Sequence, residues 1–201
     1  MNSLFEDTAC FHVGTVRLIN YDIPDAELVL RERFFEQEEA DRFYNELLQG
    51  TPWKQRTRKM YDRMVQDPRL TAWYGDDHHN WPLVLQFIKR KVEAACGIVF
   101  NSVLLNQYRN GNDSVAWHSD TLPSAGKHHA IASVTFGETR VFKVRHKTRA
   151  EIPQLDIPLK HGSFLLMGET MQYHYEHHIP KTSRKIAARI NLTFRISDRE
   201  T

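Results

Sequence analysis

The stretch RINLTFRI, residues 189–196, alternates without a break. In an extended chain successive side chains point to opposite faces, so Ile190, Leu192, Phe194 and Ile196 share one face, and Arg189, Asn191, Thr193 and Arg195 share the other. A strand of an antiparallel sheet with one solvated face accounts for the pattern. The polar face, however, is built from forked donors, which suit a small dianion such as a dicarboxylate. Arg189 and Arg195 lie about 20 Å apart along such a strand, far enough to hold different ends of one ligand but not the same carboxylate.

Working outward, the C-terminal half is a series of short strand candidates at residues 103–108, 115–120, 130–136, 140–145, 163–167, 172–177 and 187–196, separated by Asn110-Gly111, Gly137, Gly162 and Gly168. The first half contains two helical patterns. Over residues 36–49, Ala40, Phe43, Tyr44, Leu47 and Leu48 fall at helical spacing ahead of Gly50. Over residues 82–96, Val84, Leu85, Ile88, Val92 and Ala95 form an apolar stripe between Pro82 and Gly97. Helices followed by many short strands predict an α+β chain with a sandwich or barrel in its second half.

The chain has 201 residues, 41% hydrophobic and 26% charged, the composition of an ordinary globular domain. No apolar run approaches the roughly 18 residues that span a bilayer, and the N-terminus does not read as a signal peptide. The two cysteines, Cys10 and Cys96, form neither a disulfide framework nor a zinc motif. The protein is therefore expected in the cytoplasm, with access to a nucleoid or a nucleus according to its source, away from membranes and as a monomer. A net charge of +2 does not by itself mark a nucleic-acid binder. Two basic runs stand out, Lys54, Arg56, Arg58, Lys59 and Arg63 near Trp53 and Tyr61, and Lys143, Arg145, His146, Lys147 and Arg149; two solvated faces are the ordinary explanation.

The stretch VAWHSDTL, residues 115–122, places His118 and Asp120 on one side of a strand. Such a pair can chelate a divalent metal, although a solvated His-x-Asp pair is commoner. Asn106 and Tyr108 share a face just upstream and supply further donors. His174, His177 and His178 lie in QYHYEHHIP; neighbours on a strand diverge, so at most one of His177 and His178 faces such a site, and spacing does not choose among the three. Two histidines, one carboxylate and an arginine face together point to a non-haem Fe(II) oxygenase, in which a bidentate 2-oxo acid and oxygen take the open positions.

These motifs resemble the AlkB family of Fe(II)/2-oxoglutarate-dependent dioxygenases, the nucleic-acid oxidative demethylases. The resemblance runs from about residue 52 to residue 195 through PWKQRT, PRLTAWYG, NQYRNGNDSVAWHSD, IASVTFGETRVFKVRHK, HGSFLLM and RINLTFR. It implies a double-stranded β-helix (jelly roll) at about residues 98–196, buttressed by the N-terminal helices; the length of the chain predicts a single domain over residues 1–201. It implies iron ligation by His118, Asp120 and His177, the last followed by Ile179-Pro180, and 2-oxoglutarate binding by Asn106, Tyr108, Arg189, Asn191 and Arg195. Of the arginines it places Arg195 at the distal carboxylate and Arg189 nearer the metal. The implied reaction consumes O2 and 2-oxoglutarate, yields succinate and carbon dioxide, and hydroxylates an N-methyl group on a flipped base of the 1-methyladenine or 3-methylcytosine type. The hydroxymethyl amine then releases formaldehyde. The implied partner is alkylated single- or double-stranded nucleic acid, contacted by Arg69, Trp73, Tyr74, Thr121 and Leu122.

The pattern departs from the family in two places, each on the substrate side. Family members usually carry acidic residues directly after His-x-Asp, where this chain has Thr121 and Leu122. Their tyrosine-rich lid is reduced to Asp76-Asp77-His78-His79-Asn80 between Gly75 and Trp81. Two alternatives follow: an oxygenase acting on a small molecule or a protein, and a catalytically silent nucleic-acid-binding domain.

Overall fold

Strand alternation sorts the apolar residues into two separate cores, one on each side of the larger of two sheets. The computed structural model describes residues 17–60, 62–75, 80–121, 123 and 130–198. In chain order the elements are β1 (Arg17–Tyr21), β2 (Leu28–Glu32), α1 (Gln37–Gly50), β3 (Thr57–Met60), β4 (Arg63–Gln66), β5 (Leu70–Tyr74), α2 (Leu83–Cys96), β6 (Ser102–Tyr108), β7 (Val115–His118), β8 (Ile131–Gly137), β9 (Arg140–His146), β10 (Leu155–Leu159), β11 (Ser163–Met167), α3 (Met171–His174), β12 (Tyr175–Ile179) and β13 (Arg189–Arg195). The larger sheet runs β1-β2-β11-β8-β13-β6-β5 and the smaller β10-β9-β12-β7, while β3 and β4 form a hairpin. The eight strands β6–β13 thus divide four and four between facing sheets, as a jelly roll requires.

The decisive strand, β13, lies between β8 and β6. Its apolar face, Ile190, Leu192 and Phe194, is fully buried against Phe43, Leu47, Leu85, Ile88 and Val92 of α1 and α2. Burying each such side chain is worth about 1.5–3 kcal/mol relative to exposure. The second core, with Leu165, Met167, Phe142, Val144, Tyr175 and Ile179, lies between the sheets. The polar face of β13 is therefore not solvated: Arg189, Asn191 and Thr193 are buried between the two sheets.

Both predicted helices form, and α2 stops where Gly97 turns left-handed at φ 72°. Four differences from the sequence reading have physical causes. The first half supplies five strands besides its helices; β1, β2 and β5 extend the larger sheet at its two edges, where short strands carry little alternation. Strand β10 contains Pro158, which sequence rules discourage but which an edge strand tolerates. Residues 171–174 are helical, so β12 begins at Tyr175. Strand β7 ends at His118, so Asp120 lies beyond it. Among the described residues, no helix is long and apolar enough to cross a membrane. Residues 1–16, the shortened segment 76–79, Leu122 and the pair His128-His129 lie outside the described residues.

Candidate active site

Strands β7 and β12 pair at His177↔His118 and Ile179↔Val115, so three steps along β7 match two along β12. This extra residue is a β-bulge, and it re-aims the strand. Under strict alternation Val115 and His118 would face opposite ways; with the bulge they line the same cavity between the sheets. Trp117 points outward, its ring stacked on His178 at 3.9 Å between centroids, with the Arg145 guanidinium 4.1 Å from the indole centroid. That outer stack ties the edge strand to β12 behind the bulge. Ser119 Oγ donates to the Tyr175 carbonyl at 2.8 Å, and the Asp120 amide donates to Gln172 Oε1 at 2.8 Å, which fixes the carboxylate past the strand end.

The result is that ligand atoms of His118, Asp120 and His177 lie within 4.8 Å of one another. His177 Nε2 is 3.8 Å from Asp120 Oδ2. His118 Nδ1 lies 2.8 Å from the Ala116 carbonyl, so it carries the ring proton and Nε2 keeps its lone pair. Burial pushes His177 down to about 4 despite the pull of Asp120, so the ring is neutral near pH 7. Burial drives Asp120 up, but Arg195, His177, His118 and Arg69 outweigh it and hold the carboxyl below its usual range. Two imidazoles and one carboxylate beside an open cavity fit a non-haem ferrous ion.

The same cavity brings together Asn106, Tyr108, Arg189, Asn191 and Arg195, the residues expected to hold a dicarboxylate. Arg189 is 1% exposed; its Nη2 donates to Thr135 Oγ1 and Asn191 Oδ1, each at 2.8 Å, and its Cζ lies 5.2 Å from the Tyr108 ring centroid. Burial lowers its guanidinium to about 10. It has no carboxylate partner among the described residues, and its Nε has no hydrogen bond. Three arginines, Arg69, Arg189 and Arg195, face one carboxylate, Asp120, along the cavity walls. A cavity with that surplus is matched by an anionic ligand.

A second cavity of about 370 Å³ opens beside the first, lined by Arg56, Trp73, Thr121, Pro123 and Ile196 and sharing Leu104 and Arg195 with it. Through those two residues it forms one mouth of the inner cavity; a third cavity borders the inner one elsewhere, at Arg69, Val115 and Ile179.

Residues 27–195 match the 2OG-Fe(II) oxygenase superfamily. The chain is 41% identical over 180 residues to human alpha-ketoglutarate-dependent dioxygenase alkB homolog 3, covering 81% of this chain and 63% of that protein. It is 31% identical over 182 residues to mouse DNA oxidative demethylase ALKBH2, covering 80% of this chain and 76% of that one. The chain belongs to the AlkB family of 2OG-Fe(II) oxygenases. It spans just under two thirds of the length of the alkB homolog 3 relatives. The solved structure of OsALKBH1 superposes with a TM-score of 0.64 at 16% identity, over 90% of this chain and 100% of that one, a likeness of fold.

Within this AlkB-family site the structure corrects several sequence expectations. The two arginines are placed in the opposite order: Arg195 Nη2 is 3.4 Å from Asp120 Oδ1, so Arg195 is at the metal end, and Arg189 is at the far end beside Tyr108 and Thr135. Strand direction decides this, because β13 runs antiparallel to β6 and pairs Arg189 with Tyr108 and Arg195 with Ser102. Trp73 faces the mouth, but Tyr74, its neighbour on β5, turns to the helix side and packs on Trp81 at 6.1 Å. Arg69 does not line that mouth; it lines the inner cavity and the third cavity bordering it, and donates from Nε to Asn106 Oδ1 at 2.7 Å. Thr121 lines the mouth. Of the three candidate histidines only His177 enters the cavity; His178 is in the outer stack, and His174 lies in α3 against His146. In the second basic run Lys143 pairs with Asp156, Arg145 with Glu176, and Arg149 with Asp25 and Glu151, while Lys147 donates to the Gln172 carbonyl. In the first run, Arg56 lines the mouth, and the side chains of Arg58, Lys59 and Arg63 lie outside the described set.

Sequence reasoning missed the supporting residues Gln172, Thr135 and Ser133. Thr135 and Ser133 stand on β8 opposite Asn191 and Thr193, a register visible only once the strands are paired.

Proposed function

We propose that the protein is an Fe(II)- and 2-oxoglutarate-dependent dioxygenase that removes N-methyl groups from alkylated nucleobases of the 1-methyladenine or 3-methylcytosine type. The observation that carries this reading is the buried Arg189, a cation without a carboxylate partner among the described residues, in the same cavity as the His118, Asp120 and His177 cluster. A buried charge is stable when paired, and a bound dicarboxylate supplies the partner. The names of the relatives, an alpha-ketoglutarate-dependent dioxygenase and a DNA oxidative demethylase, support the nucleic-acid side of the reading.

His118, Asp120 and His177 would hold the iron, which with 2-oxoglutarate and O2 supplies the oxidising power that inserts one oxygen atom into an N-methyl C–H bond. Arg189, with Tyr108 and Thr135 around it, receives the carboxylate remote from the metal. Arg195 neutralises Asp120 and sits between the inner cavity and the mouth. Val115, Phe142, Met167 and Ile179 line the inner cavity with apolar surface and exclude water from the reacting centre. Trp73 offers the mouth an aromatic face against which an extruded base stacks, and Arg56 a charge for a phosphate. The hydroxymethyl amine product then breaks its C–N bond, giving formaldehyde and the repaired base.

A panel of methylated oligonucleotides and nucleosides, assayed for succinate and formaldehyde with Fe(II) and 2-oxoglutarate, tests the proposal. Formaldehyde from a methylated oligonucleotide is expected. Consumption of 2-oxoglutarate without formaldehyde from any of them would assign the site to another substrate, such as a small molecule or a protein. Failure to bind Fe(II) or decarboxylate 2-oxoglutarate would leave only a binding domain.

A further inference from the structure

Two asparagines face each other across the centre of the larger sheet, Asn106 on β6 and Asn191 on β13, paired in register. Each has its amide oxygen held by an arginine: Arg69 Nε donates to Asn106 Oδ1 at 2.7 Å, and Arg189 Nη2 to Asn191 Oδ1 at 2.8 Å. A guanidinium only donates, so the amide atom it touches has to be the oxygen, and the orientation of each amide is thereby set. The two then differ in how their NH2 groups are used. Asn191 Nδ2 donates to Thr193 Oγ1 at 3.0 Å, while Asn106 Nδ2 has no hydrogen bond within the described residues. Asn106 is 7% exposed and lines the inner cavity, so that donor has only the cavity to serve.

The backbone of Arg69 is fixed beside β6. It follows Asp67-Pro68 with its amide bonded to the Asp67 carbonyl at 2.8 Å, and β5, which starts at the next residue, is paired with β6 through Thr71↔Asn106.

We infer that Arg69 is a positioning residue for the co-substrate, holding the Asn106 amide so that its Nδ2 donor is presented to a 2-oxoglutarate oxygen. The inference rests on the reading of the cavity as a 2-oxoglutarate site. It moves Arg69 from contact with nucleic acid to control of the co-substrate, and it makes Asn106 a one-way donor that cannot flip to oppose an anion.

Calorimetric titration of 2-oxoglutarate into Mn(II)-loaded protein tests it without turnover. Wild type is expected to bind; if it does not, the co-substrate reading itself fails. Given that binding, Arg69→Ala and Asn106→Ala should each weaken it roughly 10-fold, the scale of a hydrogen bond to a charged group. Because Arg69 acts through Asn106, the double variant should bind within about 2-fold of Asn106→Ala alone. Effects that multiply would show instead that Arg69 attracts the dianion by its own charge, and would overturn the inference. Asn106→Asp leaves Arg69 untouched, keeps its acceptor and turns the cavity-facing donor into an oxygen, so it should bind 2-oxoglutarate more weakly than Asn106→Ala. If Asn106→Asp binds within 2-fold of wild type, the amide does not present its donor to the cavity and the inference fails.

Discussion

Among the described residues, two clusters have the same composition, two histidines and an aspartate each, with ligand atoms within 4.8 Å: His118, Asp120 and His177 between the sheets, and Asp25, His146 and His174 at their rim. In the inner cluster, the Ala116 carbonyl accepts a hydrogen bond from His118 Nδ1–H and leaves Nε2 free. In the outer cluster, His146 Nδ1 accepts from the amides of Thr148 at 3.2 Å and Arg149 at 3.0 Å. The proton of the neutral ring is then on Nε2, which faces Asp25 Oδ2 at 3.6 Å and has no lone pair to give a metal. Asp25 is further committed to Arg149 at 2.7 Å. The same residues thus make a metal-ligand set in one place and a loop clasp in the other. What separates them is where the remaining nitrogen and oxygen atoms are already engaged.

The sharpest break of the comparison is Asp120→Ala. It removes the one anionic ligand, so turnover and Co(II) binding, followed by its visible absorption, should fall more than about 100-fold, beyond the cost of losing a ligand's supporting contact. Wild type should bind one Co(II) per chain; a second equivalent that survives Asp120→Ala and disappears in His146→Ala would show that the outer cluster also binds metal.

Next in size is Arg189→Ala, which removes the buried cation behind the inner cluster. A loss of about 2–5 kcal/mol in 2-oxoglutarate affinity is expected, read as KM or by calorimetry. Arg149→Ala, its counterpart behind the outer cluster, should leave that affinity unchanged. If Arg195→Ala instead costs the larger part, the order of the two arginines given above is wrong.

A third test uses pH on metal-free protein. The His177 ring stays neutral in the fold down to about 4, whereas in the unfolded chain it protonates near its ordinary value of 6.5. Between these limits the unfolded state binds more protons, so stability is full above about pH 6.5 and falls as pH drops toward 4, by up to about 3 kcal/mol from this group. Burial lowers His161 and His178 as well, and they add slope of the same sign. Chemical denaturation at pH 7 and pH 4.5 should show His177→Gln losing less stability between the two than wild type; an equal loss would contradict the buried neutral ring.

The smallest effect belongs to Asp25→Asn. Asparagine tolerates the left-handed backbone at φ 64° and keeps an oxygen toward His146, and the ion pair lost with Arg149 is exposed, so Tm should stay within about 4 °C and turnover should not change. A loss of activity would mean the outer cluster serves the reaction.

How much of this was legible in the sequence varies with the range of the forces involved. Alternation along β13 gave the two faces of the central strand, and the i,i+4 stripes gave α1 and α2, because these signals come from neighbours on one element. His118, Asp120, Asn106, Arg189 and Arg195 carried their chemistry openly in residue type and spacing. The bulge in β7 did not, since it exists only relative to β12, and it is what brings Val115 and His118 to the same side. Tyr74 was misplaced because a motif names neighbours together while a strand separates them. The order of Arg189 and Arg195 was misplaced because it depends on which strands β13 pairs with and in which direction.

By itself, then, the sequence determined the two long helices, the two faces of the central strand, the list of metal and anion donors and the family pattern, all set by local periodicity and side-chain chemistry. Only the tertiary structure decided which arginine meets the metal end, which residues of β7 share a face, and which of two equal clusters keeps its lone pairs. Those outcomes rest on register, strand direction and hydrogen-bond partners drawn from residues far apart in the chain.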